Sequence, residues 1–244
     1  MNDAVVSHNI FAFWTADNPM NGNRRRGWES FRVTGLNPIL VTPVNLSDWI
    51  VTGAPLHPAY PHLSAVHRSD YLRPYFMHHH GGGYADVKPQ GGSWLETVDR
   101  VKASSRLLGA GYREVRGGSV WLQNAPLDGR YWVLSRPVPR LVATTVTNIM
   151  RAARPLLIGN GAFYFKPKTA LTLTWLTEVE RRLDLVLDSL KLVTNPAPRA
   201  RLTDGSGYPL PWSAIHGDVL QPLTLRYAAR LDRSVPRPMF RDYD

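Results

Sequence analysis

The sequence predicts an α/β fold: an open, mostly parallel mixed sheet flanked by helices. Three observations carry that expectation. Apolar runs closed by turn residues alternate with amphipathic stretches between residues 9 and 193, the pattern of strands exchanging with helices. The first such unit, residues 9–44, reads strand, helix, strand, and a β-α-β opening belongs to parallel sheets, which hold ligands at the carboxyl ends of their strands. The 244 residues, 43% of them hydrophobic, suffice to bury one substantial core in one domain.

Taken in order, "NIFAFW" (9–14) is a short buried strand stopped by the turn-rich "TADNPMNG", which puts Trp14 at the strand's carboxyl edge. Residues 24–35 read as a helix with Trp28 and Phe31 on one face and Gly35 near its end, and 37–44 as a second strand. Residues 63–80 have a helical pattern interrupted by Pro74. Proline lacks an amide hydrogen and its ring collides with the carbonyl four residues back, so a kink or two short helices is expected. The glycines of "GGGYADV" permit a tight turn into a short strand at 84–87. In "SWLETVDRVKASSRLLGAG", Ser93 and Glu96 have capping-box spacing, Trp94, Val98 and Val101 share a face, and Gly109 is the stop. Short strands are expected within 113–123 and 130–136, a helix over 139–153, a strand within 155–167 and a long amphipathic helix over 168–193. The proline- and arginine-rich tail after Thr194 is expected to be the least ordered part, apart from residues 208–223, whose aromatics predict docking.

A formal charge of +10 and a pI near 10.1 make nucleic acid, acidic lipid headgroups or phosphate-bearing small molecules suitable partners. The positive residues are mostly scattered arginines, densest in "NRRRG" at 23–27, and a solvated surface accounts for most of them. No zinc-finger spacing, heptad, aromatic RNA-binding signature or internal repeat accompanies them, so no nucleic-acid partner is expected. There is no cysteine, which excludes disulfides and thiolate catalysis and leaves oxygen or imidazole to hold any metal. No run of about eighteen apolar residues occurs, and the N-terminus lacks the basic and apolar regions of a signal peptide. The expectation is therefore a cytoplasmic chain, soluble or in peripheral contact with an anionic membrane.

The stretch "SDYLRPYFMHHHGGGYADVKPQ" (69–90) concentrates chemistry. Asp70 and Arg73, three apart, share a face of an intact helix and can act as a unit, or they form a surface ion pair worth little. The three histidines at 78–80 are adjacent, so on a helix they point in different directions, and no acid lies at helical spacing; a solvated or capping role is expected.

The order Ser-Asp-x-x-Arg (69–73), then Gly-Gly-x-Tyr-x-Asp-x (81–87), resembles the sugar-nucleotide-binding core of the DXD glycosyltransferases of family 32 and their relatives. Those relatives include capsular polysaccharide synthesis proteins and the glucosylating domains of large clostridial toxins. "IFAFWTADNPMNGNRRRGWESFR" resembles the family's opening strand, tryptophan and helix, "GNGAFYFKPKTALTLTWLTEV" its later asparagine-bearing strand and helix, and "WSAIHGDVLQP" its closing motif. The resemblance implies a GT-A-like fold with a Rossmann-like core, a nucleotide-sugar-binding half at 1–125, and an acceptor-side half with the tail at 126–244. It implies transfer of a sugar from a nucleotide-sugar donor, a UDP-sugar, to a glycan or other hydroxyl acceptor, with retention of configuration.

The resemblance also assigns positions. Trp14 would stack on the base, Asp70 and Arg73 would hold donor-sugar hydroxyls and the diphosphate side, and Tyr84 would line the nucleotide pocket. Asp86 would take the first acidic position of the DXD motif, making Asp70, Arg73 and Asp86 the catalytic candidates. Asn160, His216 and Asp218 would contact the donor from the later segments. A flat base, a diol and a diphosphate do need a stacking aromatic, carboxylates and cations. Each residue also has a plainer alternative: core for Trp14, a turn for Asp86 and Asn160, a helix cap for His216 and Asp218.

One position departs from the family. The second acid of the DXD motif, which would ligate Mn²⁺ or Mg²⁺, is Lys88. A charged lysine cannot ligate a metal, although its ammonium can neutralise phosphate. Either the chemistry proceeds without metal, with Lys88 and nearby arginines offsetting the leaving-group charge, or Asp86 and an acid elsewhere hold the ion. An inactive sugar-nucleotide-binding protein is a further alternative; a basic nucleic-acid-binding protein would explain the charge but leave residues 69–90 unexplained.

Overall fold

The computed structural model describes residues 8–114 and 125–240. Strand β1 (Asn9–Phe13) alternates as a two-sided strand must, with Ile10 and Ala12 in one core and Phe11 and Phe13 in the other. Helix α1 (Gly22–Glu29) begins at Asn21, whose side chain accepts the Arg24 N–H at 2.8 Å. A 3₁₀ turn, Ser30–Thr34, buries Phe31 and ends on Gly35. Strand β2 (Asn37–Val41) runs parallel to β1, Asn37 opposite Asn9 and Val41 opposite Phe13. It stops before residue 44, because the Asn45 side chain accepts the Thr42 N–H and donates to the Leu40 carbonyl, turning the chain.

Helix α2 (Ala65–His79) is a single helix that runs through Pro74, not the two short ones allowed for above. The proline costs about 3 kcal/mol. Burying Tyr71, Leu72, Tyr75, Phe76 and Met77 around it returns about 1.5–3 kcal/mol for each large side chain. Strand β3 (Gly82–Ala85) starts two residues earlier than expected. Gly82 has φ 94°, and a Cβ there would stand 2.7 Å from the Asn9 carbonyl oxygen, so glycine is what lets β3 lie alongside β1.

The capping box expected of Ser93 and Glu96 does not form. Trp94 occupies the N-cap of α3 (Leu95–Ala103) because its fully buried ring fixes that position, and Glu96 pairs instead with Arg100. Gly109 does not stop this helix; it opens strand β4 (Gly109–Arg113). The strand expected within 113–123 lies almost wholly outside the described residues. Strands β5 (Tyr131–Val133) and β6 (Arg136–Val138) form a hairpin, followed by α4 (Arg140–Ala152), strand β7 (Ile158–Phe165) and α5 (Ala170–Lys191), capped reciprocally by Thr169 and Thr172.

Residues 208–223 dock, as their aromatics predict, and the tail beyond them is held as well. Tyr208, Leu210 and Ile215 are fully buried, helix α6 (Gly217–Arg226) packs on α5 and β7, and strand β8 (Leu231–Asp232) pairs with β4. Its aromatic and aliphatic residues bury enough apolar area to outweigh the prolines around them.

The six strands are ordered β2-β1-β3-β7-β4-β8, with β7 running against the other five. The architecture is a mixed, mostly parallel α/β sheet flanked by helices. One core gathers Phe11, Phe13, Tyr84, Phe163 and Phe165 under α2, α5 and α6. The other gathers Ile10, Ala12, Ala162 and Tyr164 under Phe31 and α3. The chain leaves β1 for β2 on one side and later places β3 on the other, so the carboxyl ends of β1 and β3 border a crevice at the switch in strand order. No helix among the described residues is long and apolar enough to cross a membrane.

Candidate functional site

That crevice opens into a cavity of about 800 Å³, within the range of small-molecule sites. Phe13, Trp14 and Thr15 bring the end of β1 to it, and Tyr84, Asp86, Val87 and Lys88 the end of β3. Ser69, Asp70 and Arg73 enter from α2, Asn160 and Gly161 from β7, and Ser213, His216 and Gly217 from the start of α6.

Asp86 is the hub. Its Oδ1 accepts from the Tyr84 hydroxyl at 2.8 Å and from Arg73 Nη2 at 3.3 Å, and its Oδ2 accepts from Lys88 Nζ at 2.7 Å. Arg73 Nη2 also lies 3.2 Å from Asp70 Oδ1, and its guanidinium carbon sits 4.6 Å from the centre of the Tyr84 ring. The result is an alternating chain of charge, Asp70, Arg73, Asp86, Lys88. Local structure produces it: Asp70 and Arg73 share a helix face, while Asp86 follows directly on β3 and a tight turn, in which the Lys88 N–H donates to the Asp86 carbonyl at 2.7 Å, brings Lys88 back beside it.

The two carboxyls are pushed in opposite directions. Burial raises Asp70 to about 6, Arg73 only partly opposing it. Burial also acts on Asp86, but the Lys88 ammonium and the Arg73 guanidinium, with hydrogen bonds from Lys88 and Tyr84, outweigh it and hold the carboxyl well below the usual range. Burial, reinforced by Arg73, keeps the His216 imidazole far below its ordinary value. Its Nε2 lies 3.1 Å from the Asn160 carbonyl oxygen and its ring stacks on Trp175. A neutral ring therefore donates through Nε2, and Nδ1 is buried without a partner.

Six of the sequence candidates thus meet around one cavity: Trp14, Asp70, Arg73, Tyr84, Asp86 and Lys88. Asn160 and His216 line it too, but the Asn160 side-chain oxygen is held by Gln221 Nε2 at 2.6 Å. Asp218 is buried in the first turn of α6 and does not line the cavity. The three adjacent histidines are half-buried and turn to separate partners and not to a common site, as solvated or capping side chains would not: His78 meets the Thr172 hydroxyl, His80 the Trp49 carbonyl and His79 the Tyr75 ring.

Several wall residues escaped the sequence reading. Arg24 appeared only as part of a basic run, yet it lines the cavity and donates to the Val87 carbonyl at 3.0 Å. Tyr112, Arg199, Trp212 and Phe240 come from distant segments that no spacing connects. Gly161 carried a signal within "GNG": a Cβ there would lie 3.0 Å from Asp86 Oδ2. Counting walls, four cations (Arg24, Arg73, Lys88, Arg199) face two carboxylates (Asp70, Asp86), a surplus that suits an anion. Among the described residues no three His, Asp or Glu side chains gather into a metal-binding group. Comparison of the chain with protein-family models, curated proteins and solved structures finds no match.

Proposed function

We propose that the chain is a glycosyltransferase of GT-A-like fold, moving a sugar from a nucleotide-sugar donor to a hydroxyl of a glycan acceptor. One observation carries the reading: the chain Asp70, Arg73, Asp86, Lys88 lies inside a cavity at the carboxyl ends of β1 and β3, with cations in excess. The resemblance of residues 69–90 to the donor-binding motif supports it.

In this reading Trp14 stacks on the base at the cavity wall, and Asp70 accepts hydrogen bonds from donor-sugar hydroxyls. The bond between the anomeric carbon and the diphosphate oxygen breaks with its electron pair going to the diphosphate. The acceptor oxygen bonds the anomeric carbon, and its proton leaves on the diphosphate, so no carboxylate base is required. The protein's contribution is to orient the partners and to stabilise charge where it develops. Transfer with retention follows if the acceptor approaches the face from which the diphosphate departs.

Thermal unfolding against nucleoside diphosphates and nucleotide sugars tests the proposal. A ligand at 100 times its Kd should stabilise the fold by about 2.7 kcal/mol. The expected result is a shift with one nucleotide and turnover of its sugar conjugate. No shift with folded protein overturns the reading, a shift without turnover leaves a sugar-nucleotide-binding protein, and salt-sensitive binding to arbitrary DNA or RNA alone indicates a nucleic-acid binder.

A further inference from the structure

We propose that the donor's diphosphate is neutralised here by the tethered ammonium of Lys88 and the guanidinium of Arg73, with no divalent ion taking part. The inference rests on the transferase reading above and fixes how that site handles charge.

The first observation is that Asp86 is already committed to cations and a hydroxyl, with both of its oxygens engaged. Oδ2 is 2.7 Å from Lys88 Nζ, and Oδ1 is shared by the Tyr84 hydroxyl and Arg73. Mg²⁺ demands near-octahedral oxygen ligation at about 2.0–2.1 Å. An ion at Asp86 Oδ2 would stand against the ammonium already bound there at 2.7 Å, and like charges that close repel. The neighbouring acid, Asp70, faces Arg73 at 3.2 Å, and no cluster of three metal-ligating side chains exists among the described residues. This donor set does not fit a divalent ion.

The second observation is that Lys88 is built in and does not wave at the surface. Its side chain is 11% exposed. Gln90 Nε2 donates to its carbonyl at 2.8 Å, the Phe240 ring lies 4.6 Å from its Nζ, and its backbone abuts α1 at Gly27. Such a placement removes the rotamer freedom that makes surface lysines weak partners.

The third is the charge balance. Four wall cations against two ionised carboxylates leave a surplus of two positive charges. The diphosphate of a nucleotide sugar carries two negative charges, so the cavity matches its donor unaided, whereas a divalent ion would leave the pair overcharged. On donor entry Lys88 can share its three N–H groups between Asp86 and a phosphate oxygen. Asp86 then acts as a positioning residue that holds the two cations at the diphosphate.

Calorimetric titration with inorganic pyrophosphate and with nucleoside diphosphates of the common bases, in Mn²⁺ and in excess chelator, decides the matter. The expected result is the same Kd in both media, to within about twofold. Lys88→Met should weaken binding by about tenfold or more, near the 1.4 kcal/mol of a charge-assisted contact, and Lys88→Arg should keep most of it. Lys88→Asp should make binding depend on Mn²⁺. Wild-type binding seen only with Mn²⁺ overturns the inference and leaves the transferase reading standing, and this comparison needs no variant to fold. Unchanged binding in a folded Lys88→Met overturns it as well. Failure of the folded wild type to bind any of these anions in either medium overturns both.

Discussion

A Cβ built on Gly161 would stand 3.0 Å from Oδ2 of Asp86. The backbone of β7 therefore presses against the carboxylate at the centre of the site, and the Asp86 N–H donates to the Gly161 carbonyl at 2.8 Å. Gly161→Ala should push the carboxylate by a few tenths of an ångström out of line with Lys88. We expect about 1–2 kcal/mol of lost stability by overpacking, and about tenfold weaker nucleotide binding, read by calorimetry. Gly159→Ala is the contrast, since its Cβ would fall 1.8 Å from the Tyr112 ring; it should fail to fold or lose more than about 3 kcal/mol.

Asp70 should make the protein less stable as the pH rises. Its folded pKa of about 6 lies above its unfolded value near 3.8, so the fold favours the protonated form. That contribution is fully present below the unfolded pKa and is lost as pH rises through the folded one. Asp70→Asn should therefore raise stability at pH 8, by up to about 3 kcal/mol, and the gain should vanish toward pH 4. Melting curves across that range check it, and an Asn variant that is less stable at pH 8 would contradict it.

Buried neutral histidines oppose this trend. Burial lowers His67 to about 4 and holds His216 well below its ordinary value, so their contribution is present above the unfolded value near 6.5 and lost as pH falls below it. The wild type should lose stability between pH 6.5 and 4, and Asp70→Asn should lose it more steeply. NMR of the imidazoles should find both rings still neutral at pH 6.

Trp14 is half-buried at the cavity wall, its Nε1 donating to the Asn18 carbonyl at 2.7 Å. An aromatic stack is worth about 0.5–1.5 kcal/mol beyond its buried area. Trp14→Ala should cost about three- to tenfold in nucleotide affinity with little change in Tm, and Trp14→Phe should recover most of it. Equal affinity in the Ala variant would remove Trp14 from the base site.

Strong local periodicity made β1, α5 and the β-α-β opening legible. β4 was obscured because "GAGYR" offers glycines and one alanine where a strand ordinarily shows an apolar run. Of the two outcomes allowed for Pro74, the break into two short helices is the one that does not occur, because local propensity was weighed without the buried side chains around it. In the site, Asp70 with Arg73 was legible because the helix period fixes which side chains share a face, whereas Tyr84, Asp86 and Lys88 were picked out only by the resemblance, since a tight turn after β3 and not a strand period sets Lys88 beside Asp86. The opposite walls were not, since Arg199 and Phe240 reach the cavity through tertiary packing alone.

Phe240 rests on the Lys88 ammonium while the neighbouring Met239 N–H donates to the Pro89 carbonyl at 2.8 Å. The cavity is thus enclosed by chain from Phe13 to Phe240, and contacts so distant in sequence are among the slowest to assemble. A polypeptide still emerging during synthesis cannot present this binding surface until the strap around Phe240 has docked. Conversely, an anion seated in the cavity bridges segments far apart in sequence, and should protect that strap from proteolysis by favouring its docked state over local opening.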